Sequence, residues 1–326
     1  MKKGLSVIIC CHNSERRLPE TIRHLGAQKI SGKIPWEIIV VDNNSTDKTV
    51  AVAESLWKEI RKSNINLRIV TQKTPGLIFA RHKGVKAAKY EYVLFCDDDN
   101  WLANNYLSVA YATISRNERM GALGGIGYPV FEGQASPPGW FEQIRTAYAL
   151  GPQASKTGKV PEHCHLYGAG MVTLRKLYLD SYPANFPSLL TGRVGKSLLS
   201  GEDTEYCHRL RLQNYDIHYD SNLVFKHFIP QDRLTIEYKA RLLAGTEDAQ
   251  RELRRFTLLY SIVSSKRTER LSLVLKVAAG FLSAKLFGRR SWSYIDVIRS
   301  IFFLTGIDFG VDNDSKNIYQ YYKTVS

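Results

Sequence analysis

Paired cysteines are missing from this sequence. Its five cysteines are odd in number and form no Cys-x-x-Cys pair, so they indicate neither a zinc knuckle nor a disulfide framework. Unpaired thiols are typical of proteins that work in a reducing compartment. We therefore expect a protein of the cytoplasm.

A hydrophobic run long enough to cross a bilayer is also missing. The N-terminus, MKKGLSVIICCHNS, has only a short apolar run and lacks the cleavage site of a signal peptide, so we interpret it as the first strand. The apolar stretch LSLVLKVAAGFLSAKLF (271–287) has 17 residues and contains Lys276 and Lys285. A spanning helix needs about 20 predominantly apolar residues, and this stretch is too short and too charged.

Glycine-rich phosphate loops are the third absence. No apolar run is followed by Gly-x-Gly-x-x-Gly or by Gly-x-x-x-x-Gly-Lys-Ser/Thr. Such loops hold phosphates in dinucleotide-binding and P-loop proteins. If this chain binds a nucleotide, it does so in another way.

What the sequence does contain is an alternation of strand and helix patterns over its first third. The continuous apolar runs at 5–11, 36–42 and 90–97 are typical of strands that are buried on both faces. Helical patterns and one further short strand lie between them. With 326 residues, of which 44% are hydrophobic, the chain has the length for one large or two smaller α/β domains with a mostly parallel sheet.

Polar residues follow each of these three strands, and the most acidic group is Asp97, Asp98 and Asp99. The carboxyl ends of parallel strands share one edge of a sheet, where ligands bind. Three adjacent carboxylates repel one another unless a cation compensates them. Mg²⁺ and Mn²⁺ typically take one or two carboxylates while substrate phosphates complete the shell. A solvated turn is the alternative, although apolar residues on both sides argue against full exposure.

Two further candidates lie in the second half of the chain. Glu202 and Asp203 precede an amphipathic helical pattern, where they could cap the helix; an aspartate that deprotonates an acceptor hydroxyl would instead be a general base. His227 ends a predicted strand and is either a metal ligand or a structural histidine. From residue 121 to 167 the pattern loosens into a stretch rich in glycine, proline and aromatic residues, which predicts long loops.

After Pro230 the chain becomes helical and basic. Residues 233–290 contain 13 Lys or Arg against 5 Asp or Glu, which is more than half of the net charge of +14. Basic residues flank the stretch 271–287, namely Lys266, Arg267, Arg270, Arg289 and Arg290. This pattern predicts an interfacial helix on an anionic leaflet; packing on the protein's own domain is the alternative. Binding to nucleic acid is not favoured, because the basic residues do not interleave with aromatic ones in a known module.

Seven segments, taken together, resemble family 2 glycosyltransferases with the GT-A fold. They occur in the family's order: SVIICCHNSERRLPETI, EIIVVDNNSTDKT, GLIFARHKG, YVLFCDDDNWL, YGAGMVTLRK, SGEDTEYCHRL and KHFIPQDRLT. The resemblance spans about 5–243. Its most specific parts are the aspartate triplet, the Gly-Glu-Asp element and the downstream histidine.

The resemblance implies roles for particular residues. It assigns contacts with the nucleotide donor to Cys11, His12, Asn13, Glu15, Asp42, Arg81, Asp97 and Asp98. It assigns a divalent metal, Mn²⁺ or Mg²⁺, to Asp99 with Asp97 and His227, and catalysis to Asp203 with Glu202.

The implied protein is an inverting, metal-dependent glycosyltransferase with a Rossmann-like, mostly parallel sheet and a helical, basic C-terminal extension. Residues 1–122 would bind the nucleotide sugar, 123–230 would bind the acceptor and carry the catalytic base, and 231–326 would form a membrane-peripheral helical region. The expected donor is a UDP-sugar, and the acceptor is a glycan or a lipid-linked hydroxyl. We expect the protein at the inner face of the plasma membrane.

Two other functions stay open. A nucleotidyltransferase shares the parallel sheet and the metal carboxylates, but its first strand is usually followed by a glycine-rich basic loop, and CCHNSERR has no glycine. A non-catalytic, membrane-bound scaffold of the same fold is the second. Hydrolysis of a nucleotide sugar by the purified protein would separate the scaffold from an enzyme.

Overall fold

The computed structural model of the chain describes residues 2–30, 34–60, 65–134, 136–184, 186–192, 198–287 and 292–326. Arg289 and Arg290, which belong to the predicted basic flank, lie outside the described residues, as does the side chain of Arg267.

The first third of the chain alternates strands with helices. The strands are β1 (Lys2–Cys11), β2 (Trp36–Asp42), β3 (Asn66–Thr71) and β4 (Tyr90–Asp97), and between them lie α1 (Leu18–Gly26), α2 (Thr49–Ile60) and α3 (Leu77–Ala87). β1 pairs in parallel with β2 and β4, and β2 pairs in parallel with β3. The predicted alternation and the predicted parallel pairing are confirmed.

The middle of the chain adds five strands and three α-helices. They are β5 (Asn100–Leu102), α4 (Tyr106–Ile114), β6 (Met120–Phe131), β7 (Gly158–Lys159), β8 (Val172–Leu174), α5 (Arg175–Ser181), α6 (Glu202–Leu212) and β9 (Asp216–Ile229). Three short 3-10 helices connect these elements, at Glu132–Gln134, Glu142–Tyr148 and Gln231–Leu234.

The nine strands of the described residues form one sheet. Its order is β3-β2-β1-β4-β8-β6-β9-β5, and β7 pairs with β9. β8 runs antiparallel to both of its neighbours, β4 and β6, whereas β6 and β9 are parallel. The predicted boundary after residue 122 falls inside β6, so the first two predicted units share a sheet.

Helices cover both faces of this sheet because the central strands are apolar on both sides. Val7 and Ile9 of β1 pack into a core with residues of α1 and α2, whereas Ile8 packs into the opposite core with residues of α3. All three side chains are fully buried. Burying a side chain of this size stabilises the fold by roughly 1.5–3 kcal/mol, so the two cores hold the strands in place and leave the strand ends open to a ligand.

β6 (Met120–Phe131) runs into the segment that we predicted to form loops, and for residues 121–131 that prediction is wrong. Glycine is unfavourable in most strands, but here close packing requires it. A Cβ on Gly125 would overlap the backbone carbonyl of Leu223 on β9, and a Cβ on Gly127 would overlap that of Ala149. These glycines let neighbouring backbone lie directly against β6.

The C-terminal extension is helical, as predicted. It consists of α7 (Ile236–Ser264), α8 (Arg267–Phe287), α9 (Tyr294–Thr305) and α10 (Asn313–Val325). Phe256, Phe302 and Ile318 contribute to its shared core. Within the described parts of the chain, no helix combines the length and the apolarity that crossing a bilayer requires.

Arg209 of α6 joins this extension to the rest of the molecule. Its guanidinium is fully buried, lies 2.7 Å from Glu205, and covers the rings of Phe186, Phe256 and Tyr321 at centroid distances of 4.0, 5.7 and 5.6 Å. Phe256 belongs to α7 and Tyr321 to α10. Glu205, on the same helix, compensates the buried charge, and the contacts with Phe256 and Tyr321 hold α6 against the C-terminal helices.

α8 packs on the protein with one face and leaves the other face exposed. Val274 and Val277 are buried, whereas Leu271, Leu275 and Leu282 are 59%, 60% and 58% exposed. Spacings of four and seven residues place the three leucines on one stripe of the helix. Packing of α8 on the protein's own domain, the alternative to an interfacial helix, explains why Val274 and Val277 are buried. It does not explain why the three leucines are exposed.

Candidate active site

A cleft of about 1310 Å³ opens at the carboxyl ends of the central strands. Its other walls are the segment 163–169, the start of α6, the end of β9 and one face of α7. Nine of the predicted site residues line it: Cys11, His12, Arg81, Asp97, Asp98, Asp99, Glu202, Asp203 and His227. The fold therefore brings residues that lie more than 100 positions apart in the sequence into one cavity.

Asp98 anchors α1 to the end of β4. Its carboxylate accepts hydrogen bonds from the Ser14 hydroxyl and, at 2.7 Å, from the Arg17 guanidinium. Its backbone carbonyl accepts a hydrogen bond from Thr21 at 2.9 Å. We predicted that Asp98 contacts the nucleotide donor. Its carboxylate could make that contact only alongside the hydrogen bonds with Ser14 and Arg17.

Asp99 is held by two basic side chains. Nη1 of Arg233 lies 2.9 Å from Oδ2 of Asp99, and Nε2 of His227 lies 3.4 Å from Oδ1. Burial by itself raises the pKa of Asp99, but the charges of His227 and Arg233 outweigh burial and hold that pKa well below its usual range. The carboxylate is therefore ionised in a site that is almost closed to solvent.

The orientation of His227 suits a cation beside Asp99. Nδ1 of His227 lies 2.8 Å from the backbone carbonyl of Tyr148, which can only accept, so Nδ1 donates. In the neutral ring Nε2 then carries a lone pair that faces Oδ1 of Asp99. These two acceptors can share either a proton or a metal ion. Among the described residues no group of three His, Cys, Asp or Glu side chains is close enough to hold a metal. Asp99 and His227 could provide two ligands, a number that would suit Mg²⁺ or Mn²⁺ if substrate phosphates supplied the others.

Asp97 and Glu202 face the same buried arginine. Nη1 of Arg81 lies 3.6 Å from Oε1 of Glu202, and the guanidinium covers the ring of Phe95 at 5.1 Å. Burial lowers the pKa of Arg81, but the charges of Glu202 and Asp97 outweigh this and raise it. Burial raises the pKa of Asp97, and Arg81 partly offsets this effect. Arg81 is thus a permanent cation in the floor of the cleft.

Asp203 lies in the first turn of α6, and two backbone N–H groups fix its carboxylate. Gly168 donates to Oδ2 at 2.8 Å, and Thr204 donates to Oδ1 at 2.8 Å. A Cβ on Gly168 would overlap the guanidinium of Arg81. One glycine therefore orients Asp203 and makes room for Arg81.

The predicted nucleotide contacts in the first two strand-end loops differ in their positions. Cys11 is buried with its thiol in the core, where burial raises the pKa well above its usual range, whereas His12 is exposed at the rim. Asn13 and Glu15 accept hydrogen bonds from the backbone of Thr46 and Lys48, so they brace the two loops and do not line the cleft. Asp42, also outside the lining, accepts a hydrogen bond from the backbone of Ser45 at 3.1 Å. Their predicted contacts with the nucleotide stay predictions.

Several polar or glycine residues of the cleft were not predicted as site residues, among them Arg17, Asn43, Gly168 and Arg233. The Asn43 side chain donates to the backbone carbonyls of Gln72 and Thr74 and accepts from the Gly76 N–H, so it positions the start of α3. Arg233 lies in the segment KHFIPQDRLT, and its position six residues after His227 is the signal that could have identified it.

The chain has relatives among characterised proteins. It is 36% identical over 110 residues to the cholesterol galactosyltransferase of Borreliella burgdorferi, a match that covers 34% of this chain and 29% of that protein. It is 29% identical over 161 residues to the poly(ribitol-phosphate) beta-glucosyltransferase of Bacillus spizizenii, covering 46% and 24%. The matched stretch therefore spans less than a third of each of these relatives.

Solved structures with the same fold cover the whole chain. Residues 1–349 of Staphylococcus aureus TarS, in complex with UDP-GlcNAc, align with a TM-score of 0.55 at 20% identity over 99% of this chain and 88% of that chain. The mannosyltransferase PcManGT of Pyrobaculum calidifontis aligns with a TM-score of 0.52 at 14% identity over 100% and 85%. At these identities the likeness concerns the fold.

The family model described as "Glycosyl transferase family 2" matches residues 6–180. This match includes the strand-end aspartates and Arg81, and it covers more than half of the 326 residues. On that basis the chain belongs to glycosyl transferase family 2.

Proposed function

We propose that the chain is an inverting glycosyltransferase, which moves a sugar from a nucleoside-diphosphate sugar to a hydroxyl group of an acceptor. The observation that carries the proposal is the placement of Asp203. Its carboxylate lines the same cleft as the strand-end aspartates, and backbone N–H groups fix both of its oxygens. A carboxylate that is oriented in this way can take the proton of an acceptor hydroxyl.

A UDP-sugar is the proposed donor. TarS, which shares the fold, has been solved in complex with UDP-GlcNAc. Arg17, Arg81 and Arg233 line the cleft beside the aspartates, and guanidinium groups bind phosphate oxygens strongly. Together these observations support a nucleotide diphosphate at the strand ends.

Mn²⁺ or Mg²⁺ is the proposed cofactor, with Asp99 and His227 as ligands and Asp97 beside them. PcManGT has been solved with GDP-Man and Mn²⁺. When bound, a divalent ion stabilises the negative charge that develops on the departing diphosphate.

The chain's own residues would do the rest of the chemistry. Asp203 accepts the acceptor proton, and Arg81, which Glu202 holds in place, presents a fixed positive charge toward the leaving group. The acceptor oxygen attacks the anomeric carbon from the side of Asp203, and the nucleoside diphosphate leaves from the opposite side. This single displacement inverts the anomeric centre. Such a reaction needs no covalent nucleophile, so Glu202 serves as the partner of Arg81.

The proposed acceptor is a glycan or a lipid-linked hydroxyl. One relative is by name a cholesterol galactosyltransferase and another a poly(ribitol-phosphate) glucosyltransferase. Beyond Asp203 the cleft continues along α7 to Thr257 and Trp292. This extension provides space for an acceptor longer than one sugar.

Binding to an anionic membrane surface, as at the inner face of the plasma membrane, is the second part of the proposal. The exposed stripe of Leu271, Leu275 and Leu282 lies on α8 together with the exposed Lys276 and Lys285. Apolar side chains insert at the headgroup boundary, and nearby basic residues are attracted to anionic lipids. A protein at that surface would meet lipid-linked acceptors directly.

Replacement of the proposed base tests the function. In Asp203→Asn we expect the affinity for UDP, measured by calorimetry with Mn²⁺, to stay within about twofold of the wild type. Turnover, measured as UDP release from a panel of UDP-sugars, should fall about 10²- to 10⁴-fold, the usual share of a general base.

The matched control is Asp248→Asn. Asp248 is exposed and pairs with Arg251 on the surface of α7, so its replacement should leave both quantities unchanged. If Asp203→Asn loses UDP binding together with turnover, Asp203 is a donor ligand or a structural residue. If the wild type releases no nucleoside diphosphate from any UDP- or GDP-sugar in the presence of acceptor extracts, the scaffold alternative is correct.

A further inference from the structure

Arg233 pairs with the carboxylate that the proposed metal would use. Its guanidinium and the ring of His227 together contact both oxygens of Asp99, at 2.9 and 3.4 Å, and Asp99 is only 3% exposed. A guanidinium and a divalent ion on one carboxylate would repel each other at short range in a poorly hydrated site. Arg233 and the metal are therefore competitors for Asp99.

The backbone of Arg233 is anchored while its side chain reaches into the cleft. The carbonyl of Arg233 accepts a hydrogen bond from the Tyr148 hydroxyl at 2.7 Å, and its N–H donates to the Pro230 carbonyl at 3.1 Å. The side chain lines the cleft and is 17% exposed. Rotation of side-chain bonds is enough to move the guanidinium off Asp99, and the 3-10 helix that carries it can stay in place.

The other two arginines at the strand ends are bound to different carboxylates. Arg17 pairs with Asp98 at 2.7 Å, and Arg81 pairs with Glu202 at 3.6 Å. Neither of these two pairs involves Asp99 or His227, the proposed metal ligands. Arg233 is thus the arginine of this set that must exchange partners if a metal binds.

We propose that Arg233 neutralises Asp99 in the absence of metal and transfers to the donor's diphosphate when nucleotide and metal bind together. This inference rests on the proposed function. Removing the nearer of the two basic partners of a buried carboxylate is costly, so the metal and the new partner of Arg233 must arrive together. The exchange leaves each charge compensated: the metal replaces Arg233 on Asp99, and the phosphates replace Asp99 on Arg233.

This exchange couples the two ligands thermodynamically. Metal alone has to displace Arg233 without offering it a partner, and nucleotide alone has to attract Arg233 away from Asp99. Each ligand therefore improves the binding of the other by the same factor. Arg233 is on this view a positioning residue for the metal and a direct contact for the nucleotide.

The test measures binding of Mn²⁺ alone, by the electron paramagnetic resonance signal of the free ion, to the full chain. Arg233→Met removes the competitor, so we expect the Kd for Mn²⁺ to fall about 10- to 100-fold. Calorimetry should show weaker binding of UDP in the presence of Mn²⁺, and the mutual enhancement of UDP and Mn²⁺ should shrink. A merely structural arginine would not tighten metal binding when removed.

Several variants keep the test interpretable. Arg233→Gln repeats the loss of charge in case the Met variant fails to fold, and Arg233→Lys, which keeps the cation, should bind Mn²⁺ as weakly as the wild type. Arg16→Met removes an exposed arginine that pairs with Glu132 and should change nothing. In the double variant Arg233→Met/Asp99→Ala the gain should disappear.

Three results would overturn the inference: unchanged or weaker Mn²⁺ affinity in both neutral variants, no detectable Mn²⁺ binding in them, or tight binding that survives the loss of Asp99. None of these measurements needs sugar transfer. Failure of the proposed function would instead appear as absent turnover, so the two failures are distinguishable.

Discussion

Two histidines, His165 and His208, lie side by side in the wall of the cleft, with ring centroids 4.7 Å apart. Among the described residues, Nε2 of His165 and Nδ1 of His208 have no hydrogen-bond partner. Burial, with the nearby charge of Arg211, lowers the pKa of His165 to about 4, and burial with His165 and Arg211 lowers that of His208 well below its usual value. Both rings are therefore neutral at physiological pH.

These two residues predict a pH dependence of stability. Their pKa values in the folded protein lie below the unfolded value of about 6.5, so between about pH 6.5 and 4 the unfolded chain binds protons that the folded chain does not. The free energy of unfolding should then decrease as pH falls through this window. In His208→Phe, which can still stack on Phe256, the slope should be smaller by up to about 1.4 kcal/mol per pH unit.

Urea denaturation between pH 7 and 5.5 measures this slope, in a range where most carboxylates stay ionised. His163→Gln, at an exposed neighbouring position, is the control and should keep nearly the wild-type slope. Identical slopes for His208→Phe and the wild type would show that His208 titrates normally in the folded protein.

The aspartate triplet could be predicted as a cluster but not as three separate environments. Three adjacent carboxylates indicate a cation site from the sequence alone. Asp98, however, is bound by Ser14 and Arg17, and Asp99 by His227 and Arg233. These partners lie 80 to more than 130 positions away along the chain, so local pattern contains no information about them.

A secondary-structure element could be predicted when its own residues determine it, and could not be predicted when contacts with distant residues determine it. β1, β2 and β4 could be predicted because their residues are apolar over their own length. β6 could not, because its glycines are required by contacts with Leu223 and Ala149, which are distant in sequence. A run of small residues therefore looks like a loop until its neighbours are known.

The segment 167–170 lies just before β8 and donates a hydrogen bond from Gly168 to Asp203 of α6, so one added methyl group at this position has a predictable effect. In Gly168→Ala the new Cβ would overlap the guanidinium of Arg81, and the N–H that orients Asp203 would shift with it. Misplacement of a catalytic group by about 1 Å can cost on the order of 10² in rate. We expect turnover to fall at least about tenfold, measured as UDP release, while the protein stays folded.

Gly139→Ala is the matched control for this substitution. A Cβ at Gly139 meets no atom within 4 Å, so this variant should retain wild-type turnover. Full activity of Gly168→Ala would show that Arg81 and Asp203 tolerate displacement, and the proposed role of Asp203 would then lose its structural basis.

At the scale of the whole molecule, the leucine stripe on α8 predicts binding to membranes. The full chain should co-sediment with phosphatidylglycerol vesicles at low salt, because each basic residue near an anionic surface contributes about 1 kcal/mol and salt screens this term. Replacing Leu271, Leu275 and Leu282 with Ser should abolish co-sedimentation without unfolding the chain, since all three are exposed.

Ile236→Ser is the control, because Ile236 is 59% exposed but belongs to α7 and not to the stripe on α8. A truncation after residue 243 would be a poor alternative, since it removes Phe256 and Tyr321 from the cluster around Arg209. Full-length protein that stays in the supernatant with anionic vesicles at low salt would refute the membrane proposal.

The position of β9 has a consequence for synthesis on the ribosome. β9 is the last strand in the sequence, yet it lies inside the sheet between β6 and β5. At about 5–20 residues per second, β5 and β6 emerge several seconds before β9, and their edges stay open to non-native pairing during that interval. Rare codons between positions 131 and 216 would prolong the interval, so codon choice in this stretch should affect the yield of folded protein more than codon choice after position 229.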